Sequence, residues 1–274
     1  MDSRRIAIGV DDFGLHEGVN RAVAGLADAG RLNAVGCMVG APAWTAGQPL
    51  LRRLDRRQVD VGLHLDLTQY PLRAGAPMRL PWLIARAYLG ALPMAALRSE
   101  IAAQFDAFET ALERAPDFVD GHQHVHQLPR VREALLEVMR ARSGTSRAWL
   151  RNTRRPTAVQ NGGVKPALIE ALGARELERL ARASGHAQNR HLLGVWAFDA
   201  DATAYLNHMQ HWLHTAVDGD LLMCHPSLPL PAADDAILAA RNVEWALLSG
   251  SEFGALLLRE QLVPTPISRC VVAR

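Results

Sequence analysis

Short apolar runs alternate with longer amphipathic ones along most of the chain. The run 5–10 (RIAIGV) predicts a buried strand, and 17–29 an amphipathic helix closed by Gly30 in the left-handed conformation. A second strand is expected at 32–39, a helical segment runs on to Leu54, and a third strand falls at 59–65. A long stretch rich in Pro and Gly follows, read as an irregular inserted loop at about 66–95. Next come a helix at 95–114, a strand at 117–121 and a helix at 129–142 with Pro129 in its first turn. Further strands are expected at 148–151, 192–197 and 220–224, with helices at 165–184, 201–217 and 233–259. No low-complexity linker or fixed-period repeat interrupts the pattern. Six or seven β–α units predict a single α/β domain over 1–274, a closed (β/α) barrel or a doubly wound sheet, with the barrel preferred.

Polar residues collect where these strands end. Asp11 and Asp12 follow the first strand and His64 ends the third. His122, His124 and His126 follow Phe118–Gly121, Arg151 closes the 148–150 run, and His225 ends 221–224. In parallel α/β folds the carboxyl ends of the strands share one rim, where active sites sit. A lone loop histidine is ordinary, and an aspartate pair before Phe-Gly can simply start a turn or cap a helix. A mixed imidazole and carboxylate site for a divalent cation explains all of these positions with one cause. In His122-x-His124-x-His126, period 2 would put the three rings on one side of an extended segment.

Composition narrows the function classes. Of 274 residues, 49% are hydrophobic and 21% charged, which excludes a disordered chain. A net charge of +2 is no nucleic-acid footprint. Lys165 is the only lysine among 30 basic residues, so the arginine excess reads as codon bias. Three cysteines, Cys37, Cys224 and Cys270, with no C-x-x-C pair argue against a disulfide framework or a zinc knuckle. The first apolar segment stops at Asp11, too short for a signal peptide core. The apolar stretch 81–97 carries Arg86 and Pro93, so no transmembrane segment is expected and a cytoplasmic protein is.

Other candidates carry less. His208, His211 and His214 share part of a helix face and read as surface or interface residues. Neither a G-x-G-x-x-G, a Walker lysine loop nor a G-x-S-x-G elbow occurs, so nucleotide cofactors and serine hydrolysis lose their usual support. Cys224 is expected to pack rather than react.

Five segments in order resemble the YdjC-like (ChbG-type) carbohydrate deacetylase family. They are Asp11-Asp12-Phe13-Gly14-Leu15, Gly62-Leu63-His64-Leu65 with Leu67-Thr68, Asp120-Gly121-His122-Gln123-His124-Val125-His126, Leu150-Arg151 with Arg154 and Pro156, and Met223-Cys224-His225-Pro226. The resemblance implies a TIM-like (β/α) barrel of about seven strands and removal of acetyl groups from N-acetylated amino sugars. It also implies one divalent cation and, frequently, a homodimer. By motif, Asp12, His64 and His122 would hold the metal and Asp11 would be the catalytic base. Arg151 and His225 fall on further motif positions, while Thr68, His124 and His126 are expected near substrate. Three residues depart from the family pattern around this site: His16, Asp66 and Ser227. The apolar half of the 66–95 loop would suit a hydrophobic aglycone or a dimer interface.

Amide hydrolysis needs a polarised carbonyl, a base for the attacking water and an acid for the departing amine. Two histidines and one aspartate leave coordination positions open. The ligand types fit zinc, suit manganese, cobalt or nickel, and the resemblance adds magnesium. Adjacent Asp11 and Asp12 would point to opposite faces of a regular strand, so both serve one site only if the chain leaves strand geometry there. Arg151 would orient Asp11 or receive substrate, and His225 and His126 compete as proton donor. Two other readings stand beside the deacetylase: a barrel metallohydrolase of another amide or ester bond, and a non-catalytic sugar-binding barrel. Amidohydrolases tend to carry His-x-His on the first strand, whereas here that strand offers Asp-Asp.

Overall fold

In the computed structural model, residues 3–73, 77–142, 144–145, 148–156, 164–230 and 234–270 are described. Among the described residues eight parallel strands form one sheet: β1 (Arg4–Phe13), β2 (Ala34–Cys37), β3 (Asp60–Leu65), β4 (Phe118–Gly121), β5 (Trp149–Leu150), β6 (Leu192–Leu193), β7 (Asp220–Cys224) and β8 (Leu262–Pro264). Seven run in the order β5-β4-β3-β2-β1-β7-β6, and β8 pairs with the start of β1. The two edges meet. Leu150 N donates to Ala187 O at 2.9 Å and Leu192 N to Arg154 O at 2.8 Å. Between them Asn152 and Asn189 exchange side-chain to backbone hydrogen bonds of 2.7 and 2.9 Å. Two-residue β5 and β6 are too short to close the barrel by a regular ladder, and the asparagine pair supplies the missing bonds. The barrel expected from the sequence is therefore present, closed irregularly at this seam.

Alternation along the buried strands separates two apolar layers. Ile6, Ile8 and Val10 of β1 face the outer helices, while Ala7 joins Ala34, Phe118, Trp149, Leu192 and Leu221 in a separate inner cluster. Phe118 and Trp149 stack there at 4.3 Å. Trp149 Nε1 and Ser268 both donate to Asp60 at the start of β3, closing the N-terminal end. The other end holds the polar residues.

The helices are α1 (Glu17–Asp28), α2 (Trp44–Arg53), α3 (Leu80–Tyr88), α4 (Met94–Leu112), α5 (Val131–Arg140), α6 (Val164–Ala171), α7 (Ala174–Ala183), α8 (Ala202–Thr215), α9 (Leu238–Ser249), α10 (Ser251–Arg259) and α11 (Ile267–Cys270). Five sequence expectations need correction. The 66–95 segment is not wholly irregular, because Pro81 starts α3, which buries Leu83 and Ala87. The helix expected at 165–184 is two, broken at Gly173 with φ 131°, and 233–259 is two, broken at Gly250. Residue 233 and residues 74–76 of the loop lie outside the described residues. Pro129 does not sit in the first turn of α5, since Arg130 at φ 67° precedes that helix. β6 ends at Leu193, before Gly194 at φ 92°. Among the described residues no helix is long and apolar enough to cross a membrane.

Candidate metal centre and active site

The end of β1 leaves strand geometry where the aspartate pair requires it. Val10 pairs with Val35 but Phe13 with Cys37, so β1 carries one extra residue, a bulge. Asp12 takes φ 65°, the left-handed region that Asp tolerates better than most residues. The turn beyond is fastened at several points. Leu15 N donates to Asp12 O at 3.0 Å, and Asn20 Oδ1 accepts from Gly14 N at 2.8 Å. Gly14 has φ 99° and lies against Met38 O, where no side chain would fit. Phe13 anchors the turn by packing edge-on against Trp44.

Both carboxylates consequently reach the barrel mouth, each to a different set of partners. Asp12 Oδ1 lies 2.8 Å from His122 Nδ1 and 3.3 Å from His64 Nε2. Its Oδ2 accepts from Arg241 of α9 at 2.6 Å. Asp11 sits in the fork of Arg151, with both contacts at 2.6 Å. Asp120 bridges the two groups, with one oxygen 2.7 Å from His64 Nδ1 and the other 2.5 Å from Arg151. His64 and Asp120 are register neighbours on β3 and β4, which is why they meet. All of these side chains except His122, at 10%, are 2% exposed or less.

One ligand atom from each of Asp12, His64 and His122 lies within 4.8 Å of the other two. His122 meets Asp12 through Nδ1, and its Nε2 is buried without a partner among the described residues. Asp11, His64 and Asp120 converge equally closely, but Arg151 occupies both carboxylates of that group. The Asp12 group therefore fits a divalent cation and the other does not.

Electrostatics follow the same division. Burial works to raise both aspartates, but Arg151 outweighs it at Asp11, and Arg241 with His122 outweigh it at Asp12, so both stay well below the usual carboxylate range. Burial works to lower His64, yet Asp120 and Asp11 carry it well above its ordinary value. Burial holds His225 down at about 4, so its ring is neutral at neutral pH. Its Nε2 lies 3.8 Å from Asp11, and Glu244, pushed up to about 7 by burial, accepts from its backbone N–H at 2.5 Å.

A cavity of about 800 Å³ opens over this floor. Asp11, Asp12, His64, Thr68, His122, His124 and His225 line it. Arg151 does not; it is fully buried and orients Asp11 from behind. His126 does not either. Its ring is fully buried with Nε2 3.1 Å from Arg151 O. The three histidines do not share an extended segment, because 122–127 forms a 3-10 turn with Gln123 and His124 at positive φ. Asp66 accepts from the N–H groups of Thr68, Gln69 and Tyr70, fixing the cavity wall rather than facing a ligand. Ser227 is buried against Leu228, and His16 pairs with Asp235. His208, His211 and His214 are exposed on α8, and Cys224 is buried in β7.

Sequence reasoning assigned no role to Asp120, Arg241 or Glu244. Asp120 carried a signal, an acid inside a strand that is otherwise apolar. Arg241 and Glu244 carried none, since each reads as an ordinary polar position of a helix.

The fold and site define an α/β barrel with an aspartate–histidine centre at the carboxyl ends of its strands. The chain belongs to the YdjC-like family, whose model matches residues 5–259. It is 29% identical over 150 residues to a human carbohydrate deacetylase (50% of this chain, 46% of that protein). It is 32% identical over 133 residues to a chitooligosaccharide deacetylase of Yersinia enterocolitica (46% of this chain, 52% of that protein). These matches span about half the length of those relatives. A crystal structure from Enterococcus faecalis, described as a cellobiose-phosphate cleavage protein, superposes with a TM-score of 0.73 at 16% identity (99% of this chain, 100% of that one). A peptidoglycan N-acetylglucosamine deacetylase superposes with a TM-score of 0.51 at 10% identity (96% and 86%). These two likenesses concern the fold.

Proposed function

We propose that the protein is a metal-dependent N-deacetylase of amino sugars. The observation that carries this reading is the division of two adjacent carboxylates at one cavity floor. Asp12 faces two imidazoles, while Asp11 is held by Arg151 and lies 3.8 Å from His225. Family membership and the names of the relatives support the same chemistry.

Asp12, His64 and His122 would hold the cation, with zinc, magnesium, manganese, cobalt or nickel all compatible. Bound there, it supplies a Lewis acid for the acetyl carbonyl and lowers the pKa of water. Asp120 keeps the His64 Nδ1–H occupied, so Nε2 faces Asp12. Asp11 orients the attacking water and accepts its proton as the water oxygen bonds to the carbonyl carbon. Because Arg151 makes Asp11 a weak base, the proton passes on to the neutral His225. From there it goes to the nitrogen as the C–N bond breaks, and acetate and a free amine leave. His124 and Thr68 are the proposed sugar contacts, whereas the burial of His126 suits support of the Arg151 backbone. Leu80, Ile84, Leu168 and Ile237 give the cavity an apolar share of its lining, which suits a sugar with an apolar aglycone. The homodimer and the cytoplasmic location rest on the resemblance and the sequence reading alone.

The test is acetate release from chitooligosaccharides, from N-acetylglucosamine and from its apolar glycosides, with and without a chelator. Release that a chelator abolishes and added cation restores is the expected result. No release from any N-acetylated sugar by cation-loaded protein overturns the reading.

A further inference from the structure

The two oxygens of Asp12 do different work. Oδ1 faces His122 and His64, while Oδ2 is taken by Arg241 at 2.6 Å. Arg241 is 2% exposed and held from its far side: Asp235 accepts from Nε at 2.5 Å. Asp235 is itself fastened by Ile237 N at 3.0 Å and by His16 Nε2 at 3.2 Å. His16, one of the residues departing from the family pattern, thus belongs to the same chain of contacts.

We propose that Arg241 is a positioning residue that restricts Asp12 to one-oxygen coordination of the cation. The inference rests on the metal reading above and goes beyond it. A carboxylate on a cation occupies one position or two, and two imidazoles already occupy two. With Oδ2 free, the protein could fill a fourth position and leave less room for water and the acetyl oxygen. A guanidinium on Oδ2 removes that option by geometry and by charge, since its N–H groups compete for the lone pairs the cation would use. Asp235 and His16 keep Arg241 from turning toward the cavity it borders.

The experiment uses the full chain loaded with Mn(II) and reads water-proton relaxation, which reports exchangeable waters on the ion. Arg241→Gln is expected to keep one equivalent of Mn(II) but lose the relaxation of one coordinated water. Arg241→Lys, which keeps the charge but not the fork, should recover part of it. Asp235→Asn, which loosens the Nε anchor without touching Asp12, should show a smaller loss and serves if Arg241→Gln does not fold. Unchanged relaxation with full occupancy in these variants overturns the role of Arg241. So does loss of the ion from a folded Arg241→Gln, which would make Arg241 a requirement for affinity rather than for coordination mode. Failure of the wild-type chain to take up any divalent cation is a different result, and it overturns the metal reading itself.

Discussion

Asp120 places Oδ1 2.7 Å from Nδ1 of His64, and this contact decides which ring nitrogen of His64 turns toward Asp12. The partner of a ligating histidine fixes its tautomer and raises its basicity, and losing such a partner typically costs about 10–100-fold in metal affinity. Asp120→Ala is expected to weaken cation binding by that order, measured by titration of the apo protein. Asp120→Asn, whose amide oxygen can still accept from Nδ1, should lose less. Equal affinity in all three proteins would remove Asp120 from the centre.

Gly14 carries the geometry that lets both aspartates serve one cavity. At φ 99°, with Met38 O behind it, an added methyl group meets both backbone strain and a steric block. Strain of this kind costs on the order of 1–3 kcal/mol. Gly14→Ala should therefore lower the midpoint of thermal unfolding and, at temperatures where it is folded, weaken cation binding through the displaced Asp12. A variant with unchanged midpoint and affinity would show that the turn has room the geometry denies it.

Much of this architecture was legible in the sequence. Asp11, Asp12, His64, His122 and His225 could be placed at strand ends from the alternation of apolar runs, because parallel strands share one rim. The bulge at Asp12 was foreseeable as a requirement, since adjacent strand residues face opposite ways. The partners were not. Asp120 meets His64 through strand register, and Arg241 meets Asp12 across 229 positions, neither of which periodicity encodes. His126 misled because period 2 assumes an extended chain, and positive φ at Gln123 and His124 turns the segment inward. α3 was hidden by the prolines and glycines around it.

Asp11→Asn separates the base from the ligands. The amide cannot accept the water's proton, and loss of a general base costs about 10²–10⁴ in rate. Arg151 retains Asp120 as a partner, so the buried guanidinium is not left without a carboxylate. The variant should keep one equivalent of cation by elemental analysis and lose turnover by that order. Loss of the cation together with activity would instead make Asp11 a ligand and reverse the roles of the two aspartates.

His225 is the proposed route of the proton to the leaving amine. Its ring packs edge-on against Phe198 at 5.1 Å, its Nε2 faces Asp11, and Glu244 holds its backbone N–H. Burial keeps it neutral near neutral pH, so it is available to receive a proton from Asp11 and deliver it across the cavity. An amine leaves an acetamide only when protonated, whereas the alcohol of an acetyl ester leaves with less help. His225→Ala should therefore lower turnover on N-acetyl substrates far more than on matched O-acetyl ones. The difference reads the proton donation alone, because binding, cation and Asp11 are common to both reactions. Equal losses on the two substrate types would show that His225 acts before the C–N bond breaks, as a support for Asp11, and would leave water as the donor.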